Sequence, residues 1–248
     1  MNQGRGTRET KTAIIFGTYS PFEFSCTKIW IVEERRSCEN VRSTSSSALV
    51  LMPRPKEFDP EEVLDRATRQ FLSTGYEGTS VQDLVEATGL SRSSLYESFG
   101  CKHDLYLAAL DRYREREVTR IADQLAGDGS PLTRLRMVLE QTAAACEKGE
   151  GCFLVDATVE RARQSEDTER CAAAGLRGME EAFADAVRRA QQAGEVPESV
   201  APTSAGRFLA NAYRGLHVTA KLQPDRSALF DVINTTLAAL QAGPDPAA

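Results

Sequence analysis

Histidine is nearly absent from this chain, and its cysteines are not paired in sequence. Only His103 and His217 occur among the 248 residues, and none of the six cysteines forms a C-x-x-C pair. A structural zinc site requires Cys and His ligands at short spacing, so we expect no bound metal. The chain also lacks the glycine-rich patterns of nucleotide-binding enzymes and the G-x-S-x-G and H-E-x-x-H patterns of hydrolases. We therefore expect no enzymatic activity and no cofactor.

Long apolar runs are absent as well. No run approaches the roughly 18–20 apolar residues that span a bilayer, so we expect no transmembrane helix and no membrane partner. Near the N-terminus, an apolar stretch is broken by Gly17, Ser20 and Pro21 and is too short for a signal peptide. Without a secretory signal, a disulfide framework is not expected either. The sequence thus predicts a cytoplasmic protein.

Residues 1–51 differ from the rest of the chain. They show no helical periodicity, and they contain the single tryptophan, Trp30, and a serine- and threonine-rich run at 43–47. We expect this leader to be disordered, apart from one short strand-like piece at 27–32. A further hypothesis is that translation starts at Met52, in which case residues 1–51 are upstream sequence.

Positive charge is in short supply. The chain contains 30 Lys and Arg residues against 36 Asp and Glu residues, which gives a formal net charge of −6 at pH 7. An acidic balance argues against non-specific binding to nucleic acid. This expectation conflicts with the strongest motif in the chain, which is described below.

Helical periodicity is what the sequence does have, and it begins at Phe58. Asp59 and Pro60 form a helix start, with Asp at the N-cap and Pro in the first turn. Apolar residues follow at helical spacing, and Gly75 ends this first helix. The same signals predict an all-α protein of about nine helices. The later ones lie near 80–89, 91–99, 102–125, 131–148, 152–164, 167–193, 202–221 and 225–241.

Two short helices separated by a glycine turn occupy residues 79–99. Gly89 lies in the turn, and the second helix carries polar residues beside the apolar Leu95 and Phe99. Such a pair can place its second helix in the DNA major groove, where Arg binds guanine, Ser bonds to either kind of base and Glu accepts from cytosine. The alternative is a plain helical hairpin with a polar exposed face, and spacing alone leaves both open.

The residues of this segment match a known family at nearly every position of its pattern. The match is carried by residues 75–84, 87–91, 94–100, Lys102 and Leu105. They resemble the TetR/AcrR family of bacterial repressors. The resemblance implies an N-terminal three-helix helix-turn-helix domain that binds DNA, followed by a helical domain that binds a ligand and dimerises. We therefore divide the chain into a leader at 1–51, a DNA-binding domain at 52–106 and a sensing and dimerisation domain at 107–248.

The resemblance also implies which side chains contact DNA. Phosphate contacts align with Thr79, Tyr96 and Lys102, base contacts with the start of the second motif helix, and a basic N-terminal arm with residues 54–56. Glu97 stands where the family often has Tyr, His or Ala, so this acid would either read a base or repel phosphate. The predicted DNA contacts are Arg54, Lys56, Thr79, Ser80, Ser91, Arg92, Ser93, Ser94, Tyr96, Glu97 and Lys102.

The predicted DNA-binding domain is itself acidic. Residues 52–106 contain six basic and ten acidic residues, which gives this domain a net charge of −4. A basic surface is the usual mark of a DNA-binding domain. We therefore expect few phosphate contacts and a shallow dependence of DNA affinity on salt.

The family binds an inducer between the helices of its C-terminal domain. A carboxylate in an apolar helix, such as Asp156, needs a partner, which is either a ligand amine or a protein group such as Arg161 or Arg163. For the apolar candidates, the alternative to a ligand contact is a place in the protein core. The predicted ligand contacts are Met137, Cys152, Phe153, Asp156, Met179 and Phe183.

A thiol-reactive signal is a second possibility for the sensing domain. Cys152 lies at a predicted helix start, where the helix dipole lowers the pKa of a thiol. Cys146 and Cys171 are further candidates for such a role. The alternative is that all three are inert buried thiols, which are far more common.

The family dimerises through its last two helices. The apolar faces of these helices suit a four-helix interface between two copies, and the alternative is that they close the core of a single chain. The predicted interface residues are Phe208, Ala212, Leu216, Phe230, Ile233 and Leu237.

Together these features predict a sequence-specific transcriptional regulator. We expect a homodimeric repressor that a small molecule, or less often a thiol-reactive compound, releases from a palindromic operator. The rival hypothesis is an all-α ligand-binding protein or enzyme that retains the helix pair without binding DNA. The absence of a catalytic motif speaks against an enzyme, whereas the acidic DNA-binding domain mildly favours a protein that does not bind DNA.

Overall fold

The computed structural model describes residues 58–222 and 226–243. These residues form nine α-helices and one short 3-10 turn and contain no β-strand. The all-α architecture and the number of helices predicted from periodicity are thereby confirmed. In this part of the chain, no helix has the length and apolar character needed to cross a bilayer. The predictions for residues 1–51, Arg54 and Lys56 lie outside the described residues.

The helices follow one another with short connections. Their bounds are α1 (Pro60–Gly78), α2 (Val81–Thr88), α3 (Arg92–Phe99), α4 (Lys102–Ala126), α5 (Pro131–Glu147), α6 (Phe153–Glu160), α7 (Glu166–Gln192), α8 (Pro202–Ala220) and α9 (Arg226–Ala242). The predicted domain boundary at 106/107 falls inside α4, so a single continuous helix belongs to both predicted domains.

The first helices begin and end where the sequence predicts. The Asp59 side chain accepts a hydrogen bond of 2.9 Å from the backbone N–H of Glu61 and so caps α1. Ser80 and Asp83 form a reciprocal capping box at the start of α2. At its end, Gly89 adopts a left-handed conformation with φ of 74°, which a residue without Cβ tolerates best.

Two helices end irregularly, and the predicted end of the first helix at Gly75 is confirmed as a break in α1. In α1, Gly75 has φ of 74° and ψ of 174°, so the regular helix breaks there and one further turn follows to Gly78. The helix predicted over 152–164 is shorter: α6 ends at Glu160, and the 3-10 turn covers Ala162–Gln164. Both irregularities lie at one junction, because the last side chain of α6 binds the backbone just after Gly75.

One continuous core runs through the described residues. Helices α1, α2 and α3 pack around Phe71, Leu84 and Leu95, which are almost fully buried. In the C-terminal part, α7 makes its most extensive contacts with α8 and α4. The α7–α8 approach depends on Gly206, because a Cβ at that position would lie 2.5 Å from the carbonyl oxygen of Glu180.

Candidate functional site

Helix α3 has one buried and one exposed face. Leu95 and Phe99, which are four residues apart, are buried in the core. Arg92, Ser93, Tyr96 and Glu97 are exposed, as are most of the predicted DNA contacts of this helix. None of the hydrogen bonds or ion pairs of the described residues involves the Arg92 guanidinium. This face therefore presents a cation, a hydroxyl, a phenol and a carboxylate to a partner.

Serine side chains fix the start of α3. The Ser91 hydroxyl accepts from the backbone N–H of Ser94 at 3.1 Å and lies 2.9 Å from the hydroxyl oxygens of both Ser93 and Ser94. Ser80 has the equivalent capping role in α2, where its hydroxyl accepts from the backbone N–H of Asp83 at 3.1 Å. Ser80 and Ser91 thus have a structural role that the sequence also indicates, and both remain exposed.

Thr79 does not lie on the exposed surface, which corrects its prediction as a phosphate contact. Only 1% of this residue is exposed. Its hydroxyl donates to the carbonyl oxygen of Gly75 at 2.6 Å and lies 2.7 Å from the hydroxyl oxygen of Thr74. The side chain turns back to satisfy the backbone at the break in α1, so it holds the α1–α2 connection instead of facing a ligand.

Lys102 begins α4 and lies over an aromatic ring. Its ammonium nitrogen is 4.3 Å from the ring centroid of Tyr76, within the range of a cation–π contact. Within the described part of the chain, Lys102 forms no ion pair. Its positive charge lies within electrostatic reach of the Asp83 carboxylate but is not neutralised by a direct ion pair among the described residues.

Many of the acidic side chains in the first helices have cationic or backbone partners. Arg112 binds the carboxylates of Glu61 at 2.9 Å and of Asp65 at 3.1 Å, and Arg116 binds Asp65 at 2.6 Å. Burial raises the pKa of Asp65, but the hydrogen bonds from the two arginines outweigh it and hold this pKa below its ordinary value. Arg112 and Arg116 belong to α4, beyond residue 106, so a charge count over 52–106 omits the cations that neutralise these acids.

A cavity of about 980 Å³ lies within the C-terminal helices and α1. The residues lining it come from α1, α4, α5, α6, α8 and α9 and include Arg69, Tyr113, Gln141, Asp156, Tyr213 and Leu229. Its volume is at the upper end of the range of about 300–1,000 Å³ that is usual for small-molecule sites. It therefore has room for an organic ligand.

Most charged groups of the cavity wall are already paired. Glu117 accepts from Tyr213 and from the Nε of Arg120 at 2.9 Å. Burial raises the pKa of Glu117, but the hydrogen bonds from Arg120 and Tyr213 outweigh it and hold this pKa below its ordinary value. Asp156 pairs with Lys221, so its protein partner is the lysine that directly follows α8 and neither Arg161 nor Arg163.

His217 supplies a polar atom without a partner. Its side chain is buried, its Nδ1 lies 3.2 Å from the Sγ of Cys146, and its Nε2 has no hydrogen-bond partner among the described residues. Burial lowers the pKa of His217 to about 4, so the imidazole is neutral at pH 7. A neutral ring nitrogen in the cavity wall can either donate to or accept from a ligand, depending on the tautomer.

Of the predicted ligand contacts, only Asp156 lines this cavity. Cys152, Phe153, Met179 and Phe183 are almost fully buried in the core, which is the alternative that the sequence left open. Met137 lies on α5 with 40% of its surface exposed. Sequence reasoning missed Tyr113, Tyr213 and His217, which line the cavity from α4 and α8.

The environment of the candidate cysteines supports the alternative that they are inert buried thiols. Cys152 does stand at the N-cap of α6, but burial raises the pKa of its thiol to about 11. Burial likewise raises the pKa of Cys171 to about 12 and that of Cys146 above its ordinary value. At neutral pH these thiols are protonated, and a protonated thiol is a poor nucleophile. Desolvation thus outweighs the helix dipole.

The predicted dimer residues separate into two groups. Leu216, Ile233 and Leu237 are at most 2% exposed and belong to the core of the single chain, which corrects their prediction as interface residues. Phe208 is 46% exposed, and Ala212 and Phe230 are partly buried. An open groove on α8 and α9, which we call the α8/α9 groove, is lined by Phe208, Asn211, Ala212, Asp231, Val232, Thr235 and Thr236.

Family models match most of the described chain. Residues 63–109 match the model of bacterial regulatory proteins of the tetR family, and residues 131–236 match the tetracyclin repressor-like C-terminal domain. The first match contains α2, α3 and the start of α4, and the second contains α5 to α8 and part of α9.

Relatives and solved structures agree with the models. The HTH-type transcriptional regulator YezE of Bacillus subtilis is 32% identical over 193 residues, which cover 76% of this chain and all of that protein. The HTH-type transcriptional repressor ComR of Escherichia coli is 29% identical over 188 residues, covering 74% of this chain and 90% of the repressor. A structure of the TetR family regulator CifR with 26-base-pair operator DNA superposes with a TM-score of 0.67 at 30% identity, over 75% of this chain and 99% of that one. The chain therefore belongs to the TetR family of bacterial transcriptional regulators.

Proposed function

We propose that the chain is a homodimeric repressor in the bacterial cytoplasm that binds a palindromic DNA operator and is released by a small molecule. The observation that carries DNA binding is the exposed face of α3, where Arg92, Ser93, Tyr96 and Glu97 have no structural task in the core. Both CifR and ComR support this function, since one is solved on operator DNA and the other is a named repressor.

The acidic character of the DNA-binding helices is compatible with this function. Glu61 and Asp65 bind arginines of α4, and Glu62 binds Arg66 at 2.5 Å. Asp83 accepts from the backbone N–H of Ser80 at 2.7 Å. These pairs leave few uncompensated carboxylates to repel phosphate. Affinity then depends on a few placed contacts and on the geometry of two reading helices.

The direct test of DNA binding is selection of duplexes from a random pool by the full chain. We expect recovered palindromes with half-sites about 10–10.5 base pairs apart or at a multiple of that spacing. On a recovered duplex, Arg92→Ala should weaken binding by about 1–3 kcal/mol and relax the preference at one position of each half-site. Arg188→Ala is the matched control, because Arg188 is an exposed arginine of α7 that pairs with Asp185. No enrichment, or an Arg92→Ala protein that binds like the control, contradicts the proposal.

The α8/α9 groove is the surface that we assign to dimerisation. Phe208 and Val232 are 46% and 40% exposed there, and the groove is mainly apolar. Two apolar helices that are already packed on one side can bury the other side against a second copy related by twofold symmetry. Reading two half-sites requires such a second copy.

A charge in the groove should separate the dimer. Val232→Glu is expected to be monomeric by light scattering and to lose about tenfold or more in operator affinity, because an unpaired carboxylate resists burial. Val159→Glu is the matched control, since Val159 is 82% exposed on α6, outside the groove. A Val232→Glu protein that stays dimeric with full affinity would rule out this surface.

The cavity is the site that we assign to the small molecule. It has a suitable volume, aromatic walls from Tyr113 and Tyr213, and an unpaired ring nitrogen at His217. Glu117 and Arg120, and Asp156 and Lys221, bind one another, whereas the buried ring nitrogen of His217 is open to a ligand. A ligand acts as an inducer only if it binds better to the conformation that does not fit the operator.

The neutral state of His217 makes stability depend on pH. Its pKa falls from an ordinary 6.5 to about 4 on folding, so between these values the unfolded chain binds a proton that the folded chain does not. The contribution is fully present above pH 6.5 and is lost as pH falls toward 4, by about 3 kcal/mol. Between pH 7 and pH 4, the free energy of unfolding in urea should therefore fall by about 3 kcal/mol more in the native chain than in His217→Gln. Parallel pH profiles for the two proteins would contradict a buried neutral imidazole.

A further inference from the structure

The break in α1 releases two backbone donors that α6 binds. Because Gly75 leaves the helical conformation, the N–H groups of Tyr76 and Glu77 are turned away from the regular α-helical pattern. Both donate to the carboxylate of Glu160 at the end of α6, at 2.8 Å to Oε2 and 2.9 Å to Oε1. The Glu160 side chain, which belongs to the C-terminal part, thus satisfies the two free backbone N–H groups at the end of α1. Hydrogen bonds to an ionised carboxylate are stronger than those between neutral groups.

The residue that directly follows α6 holds the Tyr76 side chain. Arg161 is largely buried, and its Nη1 donates to Glu77 Oε1 at 2.8 Å. Its guanidinium carbon lies 4.2 Å from the ring centroid of Tyr76. The backbone of Tyr76 is therefore fixed by Glu160 and its ring by Arg161.

The Tyr76 ring in turn touches the cation that begins α4. The Lys102 ammonium lies 4.3 Å from the ring centroid, and Lys102 has no ion pair among the described residues, whereas Arg161 is neutralised by Glu77. The ring also contacts Phe71 and Tyr106 of the buried core, at centroid distances of 6.2 and 4.9 Å. A flexible lysine side chain is thus held by a ring that is itself fixed from three sides.

We propose that Tyr76 and Glu160 are positioning residues for DNA binding, in which Glu160 fixes Tyr76 and the Tyr76 ring places the Lys102 ammonium for a DNA phosphate. This inference rests on the proposed repressor function. Neither residue touches DNA in this account, because Glu160 acts through Tyr76, and Tyr76 acts through Lys102. Holding the lysine in place reduces the side-chain entropy that is lost on binding.

The same helix connects this cluster to the cavity. Asp156, which lines the cavity and pairs with Lys221, lies one helical turn before Glu160 on α6. A ligand that disturbs the Asp156–Lys221 pair acts on the rigid helix whose other end holds Tyr76. The cavity and the phosphate-binding lysine are therefore joined by α6 and one aromatic ring.

The salt dependence of binding to a pool-selected duplex tests this inference, because it counts phosphate contacts. Lys102→Gln should reduce the slope of log affinity against log salt by about one. Tyr76→Leu should give the same reduction although Lys102 is still present, and the double variant should show no further change. Tyr76→Phe retains the aromatic ring and should have the same slope as the wild-type chain. A Tyr76→Leu protein with the wild-type slope overturns the inference.

A second variant tests the inference even if substitution of Tyr76 unfolds the chain. Glu160→Gln is nearly isosteric but has one acceptor oxygen for two N–H donors, so we expect a reduced salt slope and an affinity lowered by about threefold to tenfold. Glu140→Gln is the matched control, because Glu140 pairs with Arg136 on its own helix and lies outside the cavity lining. Equal slopes for Glu160→Gln and Glu140→Gln overturn the inference alone. A wild-type chain that binds no selected duplex removes both the proposed function and this inference.

Discussion

Satisfying two backbone N–H groups at the break in α1 is the constraint on which much of this structure depends. Gly75 ends the regular helix, and the released donors of Tyr76 and Glu77 bind the Glu160 carboxylate. A buried donor left unpaired costs about 1–3 kcal/mol. The bond at Tyr76 is part-buried and the bond at Glu77 is exposed, so the Tyr76 N–H contributes more to holding the end of α6 at this turn. The hydroxyl of Thr79 completes the turn from the other side by donating to the Gly75 carbonyl. A contact with the C-terminal part thus holds the turn through which the chain passes from α1 to α2.

That contact explains how an acidic chain serves as a DNA-binding protein. The carboxylates of α1 bind arginines of α4, and the carboxylate of Glu160 binds backbone, so acids assemble the DNA-binding helices instead of facing phosphate. The face of α3 remains exposed, and the Lys102 ammonium has no ion pair among the described residues. A dimer with few phosphate contacts relies on the spacing between its two reading helices. A ligand-induced change in α4 or α6 would alter that spacing.

Local sequence signals predict the helices and the exposed face of α3 because those features are decided within a few residues. The Ser80–Asp83 capping box, Gly89 and the four-residue spacing of Leu95 and Phe99 are examples. Contacts between distant segments could not be predicted in this way. Glu160 is 84 residues from Tyr76, and Arg112 is 47 residues from Asp65. The concentration of arginines at 112–120 is the one local sign that α4 neutralises another element.

Burial also decided several side-chain roles that periodicity leaves ambiguous. Helices α8 and α9 are apolar on more than one side, so spacing alone does not separate Leu216 and Ile233, which face the core, from Phe208 and Val232, which line the groove. At Cys152 the helix start is as predicted, but desolvation governs the pKa of the thiol. Thr79 matches the family pattern, yet the orientation of its side chain depends on the break at Gly75.

Amide hydrogen exchange at Tyr76 and Glu77 tests the central contact most directly. We expect slow exchange of both amides in the native chain and, in Glu160→Ala, rates that rise toward those of exposed amides. Amides of Phe183 and Val187 in the buried part of α7 should keep their native rates in both proteins. Unchanged exchange at Tyr76 and Glu77 in Glu160→Ala would contradict the claim that α6 holds the DNA-binding helices in place.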